Sequence, residues 1–363
     1  MYRAPLSALS SSVRVSRRFH QTSHATLRSL LSKLSLARDY PRTSAARLFS
    51  GMPNKASVNE DNGIDGSDTT SILSNHYQVH SKAESYDSAY FYEPGAYMEQ
   101  LVNVVRDRLQ LTRSKQRCIL DIGGGTGTFA QALMERDDSG SRIVVVEPFL
   151  DSSVADAAEV ASSASRKTLP AVSCIRAPAE DFLVLPTPDN WRAKFIDRHY
   201  GGYDQIMIKE VVHHFREEDR VGIFRGMREG LRKNRKASDT IKPSLLIITR
   251  PQIDIDYPMW DQAFQVWKEN QPAIEEIEAD LQQAGYTKIE RFVEPIECVI
   301  SLSRWQTMVK SRCWSTFSNF TNEELEDACA IIAENARKNS NNINGEGGIV
   351  LRFEDRLIFL EAS

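Results

Sequence analysis

The chain has 363 residues, of which 41% are hydrophobic and 26% charged, a balance that can bury a core without disulfides or metal. No apolar run approaches the roughly 20 residues that cross a bilayer, so no membrane span is expected. The formal charge is −4, and the five cysteines (Cys118, Cys174, Cys298, Cys313 and Cys329) are scattered without a Cys-x-x-Cys pair, which argues against a disulfide framework and against a zinc site.

Residues 1–49 differ from the rest. They hold nine Lys or Arg against Asp39 alone, a net of +8, so the remainder of a chain totalling −4 stands at −12. Leu27, Leu30, Leu31 and Leu34 share one helical face beside Arg28 and Lys33. A basic, acid-poor, amphipathic opening has the composition of an organelle transit peptide, and Arg47-Leu48-Phe49-Ser50 resembles a mitochondrial processing pattern. A mitochondrial destination is therefore expected, with plastid and cytoplasm as alternatives. The acidic remainder would repel a polyphosphate backbone, so nucleic acid is not an expected partner.

Residues 50–75 are polar and rich in Gly, Asp, Asn and Ser, as a linker is. Residues 76–115 predict an N-terminal helical cap, with Leu101, Val104, Val105 and Leu109 on one helical face. From 116 to 293 short apolar strands alternate with helices. Strands are predicted at 118–122, 142–146, 171–175, 203–208, 244–249 and 287–293. Helices are predicted at 129–135 and 151–164, in a segment turning Val221, Phe224, Met227 and Leu231 inward, and as one helix over 259–284 closed by Gly285. Residues 294–349 form a helical insertion. Its first pattern holds Trp305, Met308 and Trp314, and its second opens on the capping box Thr321-Asn322-Glu323-Glu324. The final segment, 350–363, supplies a last strand near 356–361. This alternation predicts a mostly parallel sheet of seven strands covered on both faces.

One segment carries the strongest chemistry: Ile119-Leu120-Asp121-Ile122-Gly123-Gly124-Gly125-Thr126-Gly127-Thr128-Phe129. A strand runs straight into a glycine-rich turn and then a helix, where missing Cβ atoms let backbone approach a ligand and helix N–H groups are unpaired. A dinucleotide fingerprint would need glycine where Thr128 stands, and a phosphate-binding P-loop would need a lysine that is absent. Asp121 would oppose phosphates but suits a ligand bearing an ammonium group. Glu147, at the end of Val144-Val145-Val146-Glu147-Pro148, can accept hydrogen bonds from both hydroxyls of a ribose.

In this order and spacing the segments resemble the class I S-adenosylmethionine-dependent methyltransferases that act on small molecules, of the methyltransferase type 11/12 kind. The likeness runs over 117–249. Asp121, Gly123, Gly125 and Gly127 stand in motif I, and Glu147 stands as the ribose-binding acid. Ala177-Pro178-Ala179-Glu180-Asp181-Phe182 resembles the adenine-contacting segment. The stretch from Tyr203 through Lys209-Glu210-Val211-Val212-His213-His214-Phe215 resembles motif IV. The resemblance implies a Rossmann-like α/β fold with a seven-stranded, mostly parallel sheet, an antiparallel last strand and a helical lid insertion. It implies S-adenosyl-L-methionine as cofactor, held also by Glu180, Asp181 and Lys209. Tyr86, in Ala83-Glu84-Ser85-Tyr86-Asp87, would cap the sulfonium. The chain departs from the pattern at Pro178, where many relatives carry an acid, and at Lys209-Glu210, where an Asn, Asp or Glu is common.

His213 and His214 stand just past the fourth strand and are candidates for a general base, against a packing role. Arg304, Trp305 and Arg312 offer an aromatic surface and guanidinium groups for a substrate, against packing of the insertion on the sheet. The acceptor could be a carboxylate, a phenol or quinone, a thiol or an amine. A second reading is a methyltransferase-like binding or assembly factor that holds the cofactor without turnover.

Overall fold

Five parallel strands make the centre of the sheet: β1 (Cys118–Ile122), β2 (Arg142–Val146), β3 (Val172–Ile175), β4 (Gln205–Lys209) and β5 (Ser244–Thr249). With β6 (Ile289–Ser301) and β7 (Val350–Ala362) they form seven strands in the order β3-β2-β1-β4-β5-β7-β6. β7 alone runs against the other six, antiparallel to both β5 and β6. The computed structural model describes residues 96–111, 116–135, 137, 139–150, 171–179, 202–232, 242–338 and 348–363, all within the unit Asp65–Ser363. This is the expected Rossmann-like α/β arrangement with helices on both faces. Strand order reverses between β1 and β4, the place where open α/β sheets bind ligands outside their carboxyl ends.

Strand residues alternate between two cores. Ile119, Ile143, Val145, Met207, Leu246 and Ile248 enter one, and Leu120, Ile122, Val144, Val146, Ile206 and Ile208 enter the other. The first core lies under α1 (Ala96–Arg108) and α2 (Thr128–Met134); the second lies under α3 (Glu217–Gly230). Leu101 and Val105 on α1, and Leu109 directly after it, are buried in the spacing the sequence predicts. Among the described residues no helix is long and apolar enough to cross a membrane.

Two expectations are corrected. The helix over 259–284 is in fact α4 (Asp261–Asn270) and α5 (Ile274–Gln283), separated at Gln271-Pro272-Ala273. Proline lacks the N–H and clashes with the preceding turn, and the new start is capped by Glu276, which accepts from the Ala273 N–H at 3.3 Å. Gly285, at φ 97, ends α5 as expected. The second correction concerns the last two strands. β6 continues through Pro295 to Ser301, and β7 begins at Val350, so residues 294–301 are strand rather than helical insertion. Proline is tolerated there because β6 is an edge strand.

The length of this hairpin shapes the ligand end of the sheet. β6 pairs with β7 from Ile289↔Ala362 to Ser301↔Val350, whereas β5 meets β7 only from Leu245↔Ala362 to Thr249↔Ile358. Residues 294–301 and 350–357 therefore project past the carboxyl end of β5. They carry the helical insertion: α6 (Leu302–Lys310), a 3-10 turn (Ser315–Asn319) and α7 (Asn322–Lys338). At the start of α7 the predicted capping box is present, with Thr321 Oγ1 accepting from the Glu324 N–H and Glu324 Oε2 accepting from the Thr321 N–H at 2.7 Å.

Candidate functional site

The turn after β1 is shaped by glycines with different duties. Gly123 donates its N–H to Val146 O at 2.7 Å, tying the turn to β2. A Cβ at Gly123 would collide with Val211, and one at Gly124 would collide with Asp121 Oδ2 and stand 2.8 Å from Val145 Cγ1. Gly124 thus lets backbone close over the Asp121 carboxyl, and Gly123 makes room for Val211. Gly125, at φ 58, faces open space, with nothing within 4 Å of a Cβ placed there. Gly127, at φ 81, is the N-cap of α2.

Asp121 belongs to the β1 register that pairs with Val145 and Met207. Its residue is 1% exposed, and neither carboxylate oxygen has a hydrogen-bond partner among the described residues. Burial pushes its carboxyl from an ordinary 3.8 to about 7, with Lys209 pulling it down and Glu147 pushing it up. A desolvated, unpartnered carboxylate is costly unless a cation or donor joins it. Glu147 sits beside it at the end of β2. Its Oε2 accepts from the Gly125 N–H at 3.1 Å and its Oε1 from the Phe149 N–H at 3.1 Å. Burial raises its carboxyl, and the two backbone hydrogen bonds pull it back.

Lys209, the last residue of β4, completes this group, with Nζ 5.2 Å from the centre of the Phe129 ring. The 3-10 turn Val212–His214 follows. There the His213 and His214 rings lie 4.0 Å apart. Burial pushes His213 down to about 4; Glu210 raises it and Arg250 lowers it. Its Nδ1 is buried and has no partner among the described residues. His213 is thus neutral at physiological pH.

The structure brings Asp121, Gly123, Gly125, Gly127, Glu147 and Lys209 to one turn and places the histidine pair on the next loop. Tyr86, Glu180 and Asp181 lie outside the described residues. The insertion residues are engaged elsewhere. Trp305 is wholly buried, donates its indole N–H to Pro258 O at 2.7 Å, and packs its ring on Trp314, Phe317 and Phe353. Arg312, at φ 54, donates to Phe320 O at 2.8 Å. Arg304, half-buried, opens α6 over the Ser301 cap. Trp305 and Arg312 therefore have partners that hold the insertion together. Among the described residues no group of three or more His, Cys, Asp or Glu is arranged to hold a metal ion.

Sequence reasoning missed two features. Gly124 is as constrained as its neighbours, because its missing side chain accommodates Asp121. The second is a buried ionic cluster in which Arg250 bridges Glu210 and Asp355. Its only sequence signal is charge at strand ends and on the core face of β7.

No family model and no curated protein matches the chain. Solved structures do resemble it. One is described as a methyltransferase of an antibiotic biosynthesis pathway from Anabaena variabilis, at 20% identity over 72% of this chain and 96% of that one, with a TM-score of 0.41. Another is the cyclopropane synthase MmaA2 of Mycobacterium tuberculosis, at 14% identity over 83% and 100%, with a TM-score of 0.42. A third is a Haemonchus contortus phosphoethanolamine N-methyltransferase in complex with S-adenosyl-L-methionine, at 13% identity over 82% and 60%, with a TM-score of 0.41. At such identities a likeness does not extend to activity. The fold stands on the strand order itself.

Proposed function

We propose that the chain is an S-adenosylmethionine-dependent methyltransferase acting on a small molecule. The observation that carries this reading is the Asp121 carboxyl, out of water and without a partner among the described residues, under a glycine turn whose open side faces the switch point of the sheet. An ammonium group would relieve it. Phosphates would not, and this is the chemical reason to prefer S-adenosylmethionine over a dinucleotide. Glu147 keeps lone pairs for two ribose hydroxyls while the Gly125 and Phe149 amides hold its orientation. The donor set therefore fits the group. S-adenosylmethionine, when bound, supplies an activated methyl on a sulfonium.

The protein's part is then alignment, which can contribute roughly 7–11 kcal/mol to a displacement reaction. Asp121 would hold the ammonium group and Glu147 the ribose of the cofactor, and the β6–β7 hairpin projects past the carboxyl end of β5. A proton lost by the acceptor would go to the histidine pair after β4, His213 or His214. With its imidazole pushed down to about 4 by burial, His213 would act only on a proton that the forming bond has already made acidic. Carboxylate, phenol or quinone, thiol and amine acceptors all remain in scope. A mitochondrial location, supported by the basic opening of the sequence, belongs to the same proposal.

Titration calorimetry with S-adenosylmethionine tests the binding part, and formation of S-adenosylhomocysteine in a metabolite extract tests turnover. Binding without turnover would favour a cofactor-holding factor over an enzyme. Absence of binding would overturn the proposal.

A further inference from the structure

The buried ionic cluster at the ends of β4 and β5 has no part in the cofactor contacts, yet it leads back to them. Asp355, on the projecting half of β7, is 0% exposed, and both its oxygens are filled. Oδ1 accepts from Arg250 Nε at 3.0 Å and from the Tyr257 hydroxyl; Oδ2 accepts from Arg250 Nη2 at 3.0 Å and from the Tyr97 hydroxyl at 2.7 Å. Burial alone would raise this carboxyl, but the Arg250 charge and the hydrogen bonds outweigh it and hold it below its ordinary value. Arg250, directly after β5, also pairs through Nη1 with Glu210, directly after β4, and the side chains of both are 6% exposed. The cluster therefore ties α1, β4, β5, β7 and the loop that bears Tyr257.

Glu210 is held in a left-handed backbone conformation, φ 57, with its N–H donating to Ile248 O at 2.7 Å. A non-glycine residue stays there only where its surroundings enforce it. The next residue is Val211, whose side chain fills the place a Cβ on Gly123 would need. A buried ion pair contributes little net stability over an apolar replacement, so the cluster's effect is on shape.

We propose that Asp355 and Arg250 are positioning residues for cofactor binding: through Glu210 they hold the turn after β4 in the conformation that seats Val211 against Gly123, and so set the glycine-rich turn for its ligand. This rests on the cofactor reading above, and the test separates the two.

Affinity for S-adenosylhomocysteine is measured by calorimetry on the full chain and its variants, each checked for folding by near-ultraviolet circular dichroism. Wild-type binding tests the cofactor reading; no binding there would overturn both ideas. Given wild-type binding, D355N should weaken affinity roughly tenfold, the scale on which residues touching no ligand modulate coupling. Should D355N not fold, Y257F, which removes one donor, is judged in the same direction. R220Q is the control: Arg220 is equally buried in an ion pair with Asp280 at 2.7 Å, between α3 and α5, and its loss should leave affinity unchanged. The decisive comparison is at position 210. E210A should weaken binding, E210G should bind more tightly than E210A because glycine takes φ 57 without strain, and D355N should have no further effect on the E210G background. An unchanged D355N affinity, an equal loss in R220Q, or E210G binding no better than E210A would each overturn the proposal.

Discussion

Replacing Asp121 with asparagine should make the ligand-free protein more stable at pH 8 while weakening its hold on the cofactor. The folded carboxyl sits at about 7 against an ordinary 3.8. Between those values the folded state holds a proton that the unfolded state has released, so this group's contribution to stability falls as pH rises from about 4 to about 7. At 1.36 kcal/mol per pKa unit the total is on the order of 4 kcal/mol. His213 acts with the opposite sign: its folded value of about 4 lies below its ordinary 6.5, so its contribution rises with pH over nearly the same window. The two largely cancel in the wild-type protein, and only the difference between wild type and D121N isolates Asp121. Urea denaturation at a series of pH values supplies that difference. It should be near zero at pH 4, grow in favour of D121N, and level off above pH 7. With S-adenosylhomocysteine at saturation the gap should narrow by about 1.5–3 kcal/mol, the contribution of an ammonium–carboxylate hydrogen bond. A D121N protein that is less stable than wild type at pH 8 without ligand, or that binds as tightly, would refute the reasoning.

Gly125→Arg should abolish cofactor affinity with modest loss of stability, because its side chain has open space to enter, whereas Gly124→Ala should destabilise the fold by driving a methyl into Asp121 and Val145; calorimetry and thermal melts distinguish them. His213→Ala should leave cofactor affinity intact and reduce S-adenosylhomocysteine formation, by roughly a hundredfold where the acceptor must lose a proton; equal activity in His213→Ala and His214→Ala would remove histidine from the mechanism. Trp305→Ala should cost about 3–5 kcal/mol in denaturant unfolding as a core cavity, and a stability near that of wild type would return Trp305 to the list of substrate contacts.

What the sequence made legible was local. The motif from Ile119 to Phe129 runs from a strand through a turn into a helix within one short segment, and glycine spacing locates it. Glu147 could be matched to it because β2 is the next strand and parallel pairing sets it alongside. The boundaries that were misread have specific causes. Pro272 splits a continuous amphipathic pattern that reads as one helix. Pro295 looks like a strand terminator but is harmless on an edge. Asp355 interrupts the apolar alternation Leu351, Phe353, Leu357, Phe359, so the strand reads as starting after it. Its partners Arg250, Tyr257 and Tyr97 stand 105, 98 and 258 residues away, and no periodicity links such positions. The aromatics of the insertion show the converse. Their composition suits a binding surface, and burial assigns Trp305 and Phe317 to packing.

The account is tested most directly by calorimetric titration of the purified chain with S-adenosylhomocysteine at pH 8, beside Gly125→Arg. Saturable heat in the wild-type protein that vanishes in the arginine variant is the predicted result. Equal heats from both proteins, or none from the wild type at millimolar ligand, would contradict it.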